Sequence, residues 1–342
     1  MMKRLAAGLM AACLLLSGCA KAPQAEQKRY TATFLTLFDT VTTIVGQAES
    51  EEEFRTLTQQ IHDELLVYHQ LFDIYHTYDG MANLKTVNDN AGIAPVEVSP
   101  VVIDMLQDCL AYYELSGGAV NVAMGGVLSL WHDARSDGIR DPANASLPKW
   151  EALQKAAEHA DIGSIIIDEA ASTVYIADAD TRLDVGAVAK GWAGQRAAES
   201  APSGLLISIG GNVCATGPKT EDGTPWVVGI QDPDQNDKNI HTIYVTGGSV
   251  VTSGDYQRTY WVDGEAYHHI IDPRTLMPAN HWQSVTVVCA DSGLADALST
   301  ALFLLPLEEG LALAESVGAA VLWISPSGEE HMSPEFEKIL RT

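Results

Sequence analysis

Basic residues are scarce in this chain. Its 342 residues include 20 Lys and Arg against 45 Asp and Glu, which gives a formal net charge of −25 at pH 7. An acidic surface repels the phosphate backbone of nucleic acid and lacks the basic clusters that hold proteins on anionic lipid headgroups. The composition therefore argues against a nucleic-acid partner. An anionic substrate must instead be met locally, by a metal ion, a lysine or a helix N-terminus.

Cysteine is also scarce. The chain has five cysteines, and two of them, Cys13 and Cys19, lie close to its start. Cys109, Cys214 and Cys289 stand far apart in apolar surroundings, with no CxxC or His-rich spacing around them. Neither a disulfide framework nor a thiolate metal site fits this pattern. We expect these three thiols to pack in the core, as small apolar side chains do.

The only long apolar run is at the start, where residues 5–16 follow Lys3 and Arg4. This run is too short for a membrane-spanning helix of about 20 residues and is typical of a secretory signal. Leu16-Ser17-Gly18-Cys19 resembles a bacterial lipobox, which implies cleavage before Cys19 and a lipid on that cysteine. We predict a signal peptide at 1–18 and a lipid-anchored tether at 19–29, on the extracytoplasmic face of a membrane. The alternative is an ordinary secretory signal with a chance cysteine.

The rest of the chain, residues 30–342, shows no repeat and no internal linker, and it predicts one domain. Helices are expected at 50–71, at 99–115, where Ser99 and Pro100 begin the helix, and at 149–159. One strand is expected at 34–45 and a loop at 75–90, and strands dominate from residue 205 onward. Strands mixed with helices predict an α+β fold, with a largely antiparallel mixed sheet packed by helices.

An acid and a hydroxyl stand four residues apart in Ala295-Asp296-Ala297-Leu298-Ser299-Thr300, on a helix predicted after a strand at 284–290. At this spacing Asp296 and Thr300 lie on one face, about one helical turn apart. The helix is apolar nearly all round, so we expect it to be buried, and a buried Asp296 needs a partner. Two oxygens on one face suit a hard cation such as Mg²⁺. The alternative is a surface Asp and a Thr bonded to its own turn.

Small residues separate Asp184 from Lys190, in a segment predicted as a short strand at 181–186 that feeds a helix at 187–199. Small side chains let the backbone approach a ligand closely, and the start of a helix offers free N–H groups to an anion. Lys190, in the first turn of that helix, would add a positive charge. The segment indicates a phosphate-binding site, although a turn acid and a surface lysine would give the same pattern.

Two histidines, His268 and His269, are predicted near the end of a strand at 267–271. Neighbouring residues of a strand point to opposite faces, so only one of the two can face a given site. Asp255 and Asp272 lie nearby in the sequence, which raises the case for a catalytic histidine. A histidine in such a place is nevertheless more often structural.

Six segments, in their order along the chain, resemble the ApbE family of bacterial FAD:protein FMN transferases. They are Phe38-Asp39-Thr40, residues 184–191, Ile209-Gly210-Gly211-Asn212, Thr252-Ser253-Gly254-Asp255-Tyr256, His269-Ile270-Ile271-Asp272-Pro273 and Ala295-Asp296-Ala297-Leu298-Ser299-Thr300. Each segment alone is a weak signal, but six in the family's order are very specific. The resemblance covers nearly the whole chain after the signal and implies an ApbE-like domain, related to the T-fold. Lipoprotein anchoring is common in this family.

The resemblance also implies an activity. Members bind FAD with Mg²⁺, split the diphosphate of the flavin and transfer the FMN half to a Thr or Ser hydroxyl of an exported protein. The products are a phosphoester and AMP. The acceptors are typically subunits of membrane redox pumps or electron-transfer flavoproteins.

The functional positions of the family fall on particular residues of this chain. The metal positions are Asp296, Thr300 and the carbonyl of Ala187. The positions that contact FAD are Phe38, Tyr75, Ala119, Val120, Asn121, Asp184, Lys190, His269 and Ile270. The incoming hydroxyl needs a general base, for which His269 is the first candidate and Asp255 the competitor.

Two segments depart from the family's pattern. Leu276 stands where the family has Gly in its Asp-Pro-x-Thr-Gly sequence, and Ala119-Val120-Asn121 stands where Ala-Phe-Asp is usual. These departures concern the geometry of a loop and contacts with the cofactor. The metal positions are unaffected.

Other functions would use the same residues. An FAD pyrophosphatase would release free FMN and AMP, and a non-catalytic flavin-binding lipoprotein would store or deliver the cofactor without turnover. A solute-binding lipoprotein would not need the oxygen pair at Asp296 and Thr300.

Overall fold

The computed structural model describes residues 28–235, 237–256 and 258–341. The predicted signal peptide and the predicted lipidation site at Cys19 lie outside the described residues. The strands are β1 (Lys28–Leu37), β2 (Thr40–Ala48), β3 (Val96–Glu97), β4 (Ile165–Asp168), β5 (Thr173–Ile176), β6 (Leu205–Ile209), β7 (Asn212–Ala215), β8 (Trp226–Gln231), β9 (Asn239–Val245), β10 (Gly248–Gly254), β11 (Tyr260–Val262), β12 (Glu265–Tyr267), β13 (Ser284–Cys289), β14 (Ala320–Ile324) and β15 (Glu330–Met332). The α-helices are α1 (Glu51–Phe72), α2 (Leu84–Asp89), α3 (Pro100–Leu115), α4 (Gly125–Arg140), α5 (Trp150–Ala157), α6 (Ala189–Ser200), α7 (Ser292–Leu304), α8 (Leu307–Ser316) and α9 (Pro334–Glu337).

Eight strands form one sheet in the order β1-β2-β6-β7-β10-β13-β14-β15. Each neighbouring pair in this sheet is antiparallel. Three small antiparallel sheets accompany it, formed by β3-β5-β4, by β8-β9 and by β11-β12. The prediction of an α+β fold with a largely antiparallel sheet is confirmed.

The large sheet separates two apolar layers, because alternate residues of a strand point to opposite faces. In β14, Val321 and Trp323 pack with α7 and α8 in one cluster. Leu322 and Ile324 lie in another cluster, with β8, β9 and Phe336 of α9. Further along the sheet, α1 and α6 cover β1, β2 and β6 on their apolar face. Helices thus cover one face, and a two-stranded ribbon covers part of the other.

Helix α7 is the most deeply buried helix near the site. Eleven of its 13 residues are buried, as its apolar composition predicts. Its first turn is capped by Asp291, whose Oδ1 accepts a hydrogen bond from the N–H of Leu294 at 2.7 Å. This cap satisfies one of the free N–H groups that begin a helix. Asp296 is therefore held on a rigid element inside the protein.

Two predicted elements are wrong because local turns were not recognised. The strand expected at 34–45 is two strands, joined by a turn at Phe38 and Asp39. The loop expected at 75–90 contains helix α2, which begins with a capping box between Asn83 and Thr86. A helix of six residues is too short to show a helical period in the sequence.

The strand expected at 181–186 is also wrong, since only Arg182 makes an isolated bridge, to Met124. The amide of Asn88 replaces a strand partner there: its Oδ1 accepts from the N–H of Leu183 at 2.7 Å, and its Nδ2 donates to the Leu183 carbonyl at 3.0 Å. A side chain distant in sequence thus satisfies this backbone. Helix α4 was not predicted, and its two initial glycines and Gly138 weaken the helical pattern.

Within the described ranges, no helix combines the length and the apolar character needed to cross a bilayer.

Candidate functional site

A cleft of ≈ 620 Å³ opens where the β1–β2 turn, the loop after α1, helix α4, the start of α6 and helix α7 meet. Twelve of the predicted site residues line it: Phe38, Tyr75, Ala119, Val120, Asn121, Asp184, Ala187, Lys190, His269, Ile270, Asp296 and Thr300. Asp255 is not among the lining residues, although the preceding Gly254 is. Segments separated by more than two hundred residues in sequence are thus brought together in one cavity.

The carboxylate of Asp296 lies at the buried side of this cleft, with a relative exposure of 4%. Its Oδ2 accepts a hydrogen bond from the N–H of Gly191 at 2.8 Å and lies 3.7 Å from Nζ of Lys190. Its Oδ1 accepts no hydrogen bond from any residue that the structure describes. A buried carboxylate with one oxygen still available, and a hydroxyl one turn later, fits the donor set of a hard divalent cation.

Gly191 makes this contact possible because α6 and α7 approach each other closely at this residue. A Cβ atom on Gly191 would lie 2.2 Å from the Ser292 carbonyl oxygen and 2.5 Å from Cβ of Asp296. Gly191 is the third residue of α6, so its N–H is one of the groups at the start of a helix that have no partner within the helix. It donates to Oδ2 of Asp296 instead. Ala187, the third metal position that the resemblance implies, lies in the turn before the helix and lines the same cleft.

Asp184 and Lys190 lie on the neighbouring side of the cleft. Oδ1 of Asp184 accepts a hydrogen bond from the N–H of Gly186 at 2.8 Å, and Nζ of Lys190 donates to the Gly186 carbonyl at 3.2 Å. Burial raises the pKa of Asp184, and the hydrogen bond from Gly186 opposes that rise. Lys190 lies in the first turn of α6, as predicted, so its ammonium faces the cleft. The N–H groups of Val188 and Ala189 donate to the Val185 carbonyl, and that of Gly191 donates to Asp296, so these three are not free to bind an anion.

The two histidines lie after β12 rather than within a strand, so the argument from strand alternation was wrong and both line the cleft. His268 is engaged in the fold. Its Nε2 lies 2.7 Å from the Ala279 carbonyl and its Nδ1 accepts from the N–H of Ile270 at 3.2 Å. Burial and, after it, the positive charge of Arg258 together lower the pKa of His269 to about 3. The His269 imidazole is therefore neutral at physiological pH.

Asp255 is half-buried in the turn after β10, where its N–H donates to the Gln283 carbonyl at 3.0 Å. Burial and, after it, the negative charge of Asp234 together raise the pKa of this carboxyl to about 6. A pKa near neutrality suits a general base, but the geometry places the side chain outside the lining of the cleft.

The β1–β2 turn presents Phe38 to the cleft through an unusual backbone. Phe38 and Asp39 have φ angles of 52° and 51°, as the two central residues of a type I′ turn require. Left-handed backbone is unfavourable for a bulky residue, and such strain is frequent at binding sites. The N–H of Phe38 donates to Nδ1 of His69 at 3.2 Å, which fixes the turn against α1.

The two departures from the expected motifs have structural consequences. Nδ2 of Asn121 donates to the Ala160 carbonyl at 2.8 Å, while Oδ1 accepts from the N–H of Ala123 at 2.9 Å. Only an amide can make both bonds, since an ionised carboxylate cannot donate. Leu276, where the family has Gly, adopts a φ of 58°, so the left-handed turn is kept with a bulky residue. Its side chain is buried beside Trp131, whose Nε1 donates to the Leu276 carbonyl at 3.0 Å.

A model of the ApbE family matches residues 38–323. A curated FAD:protein FMN transferase from Treponema pallidum is 36% identical over 262 residues, covering 71% of this chain and 70% of that protein. One from Vibrio cholerae is 29% identical and covers 97% of both chains. The chain belongs to the ApbE family.

Solved structures of ApbE proteins share the fold. The ApbE protein from Thermotoga maritima superimposes with a TM-score of 0.81 at 29% identity, covering 92% of this chain and all of that one. The flavin transferase ApbE from Vibrio cholerae gives a TM-score of 0.76 at 25% identity and 92% coverage of this chain. The ApbE fold therefore extends over nearly all of the described residues.

Several polar residues that line the cleft of this ApbE member were not among the predicted site residues, including Arg135, Arg258 and Asn212. Asn212 is 4% exposed, and its Nδ2 has no hydrogen-bond partner among the described residues. Arg135 went unnoticed because helix α4 was not predicted. The sequence feature that could have identified Arg135 as a site residue is its place four residues after Trp131, on the helical face that packs on the core.

Proposed function

We propose that this protein is an FAD:protein FMN transferase. It would split the diphosphate of FAD and transfer FMN to a Thr or Ser hydroxyl of an exported acceptor protein. The observation that supports this most directly is the buried carboxylate of Asp296, one oxygen of which accepts no hydrogen bond from the described residues. This carboxylate lies in one cleft with Lys190 and His269. The relatives named FAD:protein FMN transferase support the same reaction.

The reaction exchanges one phosphorus–oxygen bond for another. The acceptor hydroxyl attacks the phosphorus on the riboflavin side of the diphosphate, and a phosphoester bond to FMN forms. The bond from that phosphorus to the bridging oxygen breaks, so AMP leaves with the electron pair. The hydroxyl proton passes to a base. Phosphoryl transfer of this kind depends mainly on positioning and on neutralisation of charge.

The residues around Asp296 would bind the charged part of FAD. Asp296, Thr300 and the Ala187 carbonyl would hold Mg²⁺, which supplies charge neutralisation at the diphosphate. The ammonium of Lys190 would bind the phosphate oxygens directly. A chain with a net charge of −25 needs such local positive charge to hold an anion.

The proton would go to His269 rather than to Asp255. His269 lines the cleft and its imidazole is neutral, whereas Asp255 has the better-matched pKa of about 6 but lies outside the lining. A general base must first lie within hydrogen-bond reach of the proton that it accepts, and its pKa is considered after that. The positive charges of Arg258 and Lys190 help to keep the pKa of His269 low. A bound diphosphate would offset those charges and make the imidazole more basic.

The remaining cleft would hold the two ring systems of FAD. Tyr75 is 53% exposed and lies beside the imidazole of His132, with ring centroids 5.6 Å apart. Its loop is fixed by Asp73, whose Oδ1 accepts from the N–H of Tyr75 at 2.6 Å and whose Oδ2 accepts from the Tyr78 hydroxyl at 2.7 Å. Phe38, Ala119, Val120 and Asn121 are the other predicted FAD contacts in this part of the cleft, while Ile270 is predicted, with His269, beside the diphosphate.

The cellular setting belongs to this proposal. We infer a lipid on Cys19 and a position on the extracytoplasmic face of a bacterial membrane. Acceptors there would be subunits of redox pumps or electron-transfer proteins. The predicted lipobox supports this location.

The test is transfer of FMN by the soluble domain. Incubation with FAD, Mg²⁺ and candidate acceptor domains should add the mass of FMN to one hydroxyl residue and release AMP. Asp296→Asn should abolish the Mg²⁺-dependent reaction, while Asp137→Asn, an exposed acid paired with Arg140, should not. Free FMN and AMP without acceptor modification would identify a pyrophosphatase. Bound FAD without any turnover would identify a flavin-binding protein and refute the proposal.

A further inference from the structure

One buried amide that lines the cleft lacks a hydrogen-bond partner. Asn212 is 4% exposed, and its Nδ2 is shielded from solvent and donates to no residue that the structure describes. Asn121, another amide of the cleft, has both ends bonded within the protein. A buried donor without a partner lowers stability, and substrate binding is one way in which a protein recovers that loss. Asn212 is therefore a candidate for contact with the substrate.

The backbone of Asn212 belongs to a rigid part of the fold. Asn212 is the first residue of β7, in the interior of the eight-stranded sheet, and it pairs with Ile209 across a turn of two glycines. These glycines, Gly210 and Gly211, have φ angles of 57° and 94°. A Cβ atom on Gly210 would lie 2.6 Å from Oγ1 of Thr40, so this turn packs directly against the β1–β2 turn. The position of the amide is thus fixed by the sheet.

The side chain of Asn212 faces the layer that contains α6. Ile209, directly opposite, lies in the apolar cluster that includes residues of α6, and opposite residues of paired strands share a face. Cys214, two residues further along β7, lies on this face as well. A Cβ atom on Gly194 of α6 would lie 3.0 Å from Sγ of Cys214 and 3.5 Å from Cδ1 of Ile209. Helix α6 therefore packs directly on this row of the sheet.

The neighbouring strand places Asn212 near α7 as well. β10 pairs Val250 with Val213, so Val251 lies level with Asn212. Val251 belongs to one apolar cluster with buried residues of α7. Asn212 therefore lies on the sheet at the place where α6 and α7 meet.

The cleft opens at one end of these elements. On β7, Asn212 lines the cleft and Cys214 is not among the lining residues. On α6, Lys190 lines it, and Gly194, about one turn later, is not among the lining residues. Asn212 thus lies on the same side as Lys190, whose ammonium is 3.7 Å from Oδ2 of Asp296. This is the corner in which Lys190 would bind phosphate oxygens.

This corner offers few backbone donors to a diphosphate, because the N–H groups of Val188, Ala189 and Gly191 are bonded within the protein. An amide nitrogen carries two hydrogens and no net charge, so it can bind an anionic oxygen beside Lys190 without repelling the ammonium. Hydrogen bonds to a charged oxygen are about twice as strong as those between neutral groups. A phosphate oxygen would therefore offset more of the cost of an unpaired Nδ2 than a neutral acceptor would.

We propose that Asn212 binds the diphosphate of FAD, with Nδ2 donating a hydrogen bond to a phosphate oxygen next to Lys190. The torsion between Cβ and a side-chain amide has a broad profile, so rotation of the amide can direct Nδ2 toward the ligand. This inference rests on the proposed transfer of FMN, and it assigns a neutral donor to the anionic part of that substrate.

The test measures equilibrium binding to the intact soluble enzyme in the presence of Mg²⁺. The ligands are FAD, ADP, which has the diphosphate without the flavin, and riboflavin, which has the flavin without phosphate. Asn212→Leu removes the donor in a side chain of similar size. The Kd values for FAD and ADP should rise roughly 10- to 100-fold, the loss expected for a hydrogen bond to a charged group. The Kd for riboflavin should keep its wild-type value.

Thr42→Val is the matched control. Thr42 lies opposite Ile209 on the other neighbouring strand, and its buried Oγ1 also lacks a hydrogen-bond partner among the described residues. Thr42 is not among the residues that line the cleft. Thr42→Val should therefore leave all three Kd values unchanged. FAD should also raise the Tm of Asn212→Leu less than that of Thr42→Val, because weaker binding gives less stabilisation.

The outcomes separate the inference from the proposed function. An unchanged Kd for FAD in Asn212→Leu would overturn the inference and leave the proposed function standing. An equal loss for FAD and riboflavin would overturn it as well, because the residue would then act on the flavin or on the shape of the cleft. A wild-type enzyme that binds neither FAD nor ADP with Mg²⁺ would refute the proposed function, and the inference with it. If Asn212→Leu does not fold, Asn212→Ala removes the donor without added bulk and is judged by the same three constants.

Discussion

Gly191→Ala should separate the two helices that form the predicted metal site. The added Cβ would lie 2.2 Å from the Ser292 carbonyl oxygen and 2.5 Å from Cβ of Asp296. Non-bonded carbon contacts are favourable at about 3.5–4.0 Å, so α6 and α7 must move apart by roughly 1 Å. Because Ser292 and Asp296 belong to a buried helix, neither atom can turn away as the end of a flexible side chain could.

The expected loss of stability follows from this overlap. Overpacking of a core costs about 1–3 kcal/mol, against which alanine regains up to about 1 kcal/mol of helix propensity. Gly126→Ala is the matched control, because this helical glycine on α4 has its nearest neighbour, Cβ of Ala156, at 3.7 Å. Gly126→Ala should be neutral or stabilising. Thermal unfolding should therefore move in opposite directions for the two variants, by roughly 2–4 °C per kcal/mol.

The expected loss of activity is larger. A shift of about 1 Å in a catalytic group can cost about 100-fold in rate. Gly191→Ala also disturbs the N–H bond to Oδ2 of Asp296, so the Mg²⁺ concentration needed for half-maximal FMN transfer should rise. Transfer and unfolding would be measured across a Mg²⁺ series for both variants. A Gly191→Ala protein with the stability, rate and Mg²⁺ requirement of Gly126→Ala would refute this account of the site.

The remaining predictions concern strain and protonation. Leu276→Gly should relieve about 1–2 kcal/mol of left-handed strain but lose about 2–5 kcal/mol of buried side chain, so chemical denaturation should show net destabilisation. Asp255 has a folded pKa raised from 3.8 to about 6, so its stabilising contribution is complete below pH 3.8 and lost as the pH rises through 6. The wild type should therefore lose stability relative to Asp255→Asn between those pH values. The imidazole resonances of His269 should show no titration between pH 8 and pH 5, since burial lowers its pKa to about 3; a midpoint near 6.5 would contradict this.

Local rules in the sequence predicted the elements whose causes are local. Ser50 caps α1, where its hydroxyl accepts from the N–H of Glu53 at 3.2 Å, and three acids follow in the first turn. Ser99 and Pro100 begin α3 in the same way. The apolar composition of α7 predicted its burial, and with it the buried position of Asp296. In each case the residues that predict the feature lie within the helix itself or directly before it.

The elements that were missed depend on partners that are distant in sequence. The sequence at 181–186 favours a strand, yet the backbone of Leu183 is bonded to the side chain of Asn88, a residue 95 positions away. The residues of the cleft are likewise brought together by contacts between segments that are distant in sequence. Arg258 lies near His269 in sequence, but its relation to Arg135 arises only when α4 packs beside β11. No spacing rule in one sequence can report such contacts. The resemblance to a known family supplied the site residues that spacing could not.

The buried charge of Asp296 has partners within the protein itself. A buried carboxylate without partners would be costly, but Oδ2 accepts a hydrogen bond from Gly191 and lies 3.7 Å from the ammonium of Lys190. The protein therefore compensates part of this charge before any ion binds. The second oxygen stays available for Mg²⁺, which would be held by few protein ligands and share its other positions with phosphate. Such a site would bind the ion most tightly with the diphosphate present, which would let an acidic protein hold an anionic cofactor without a basic surface.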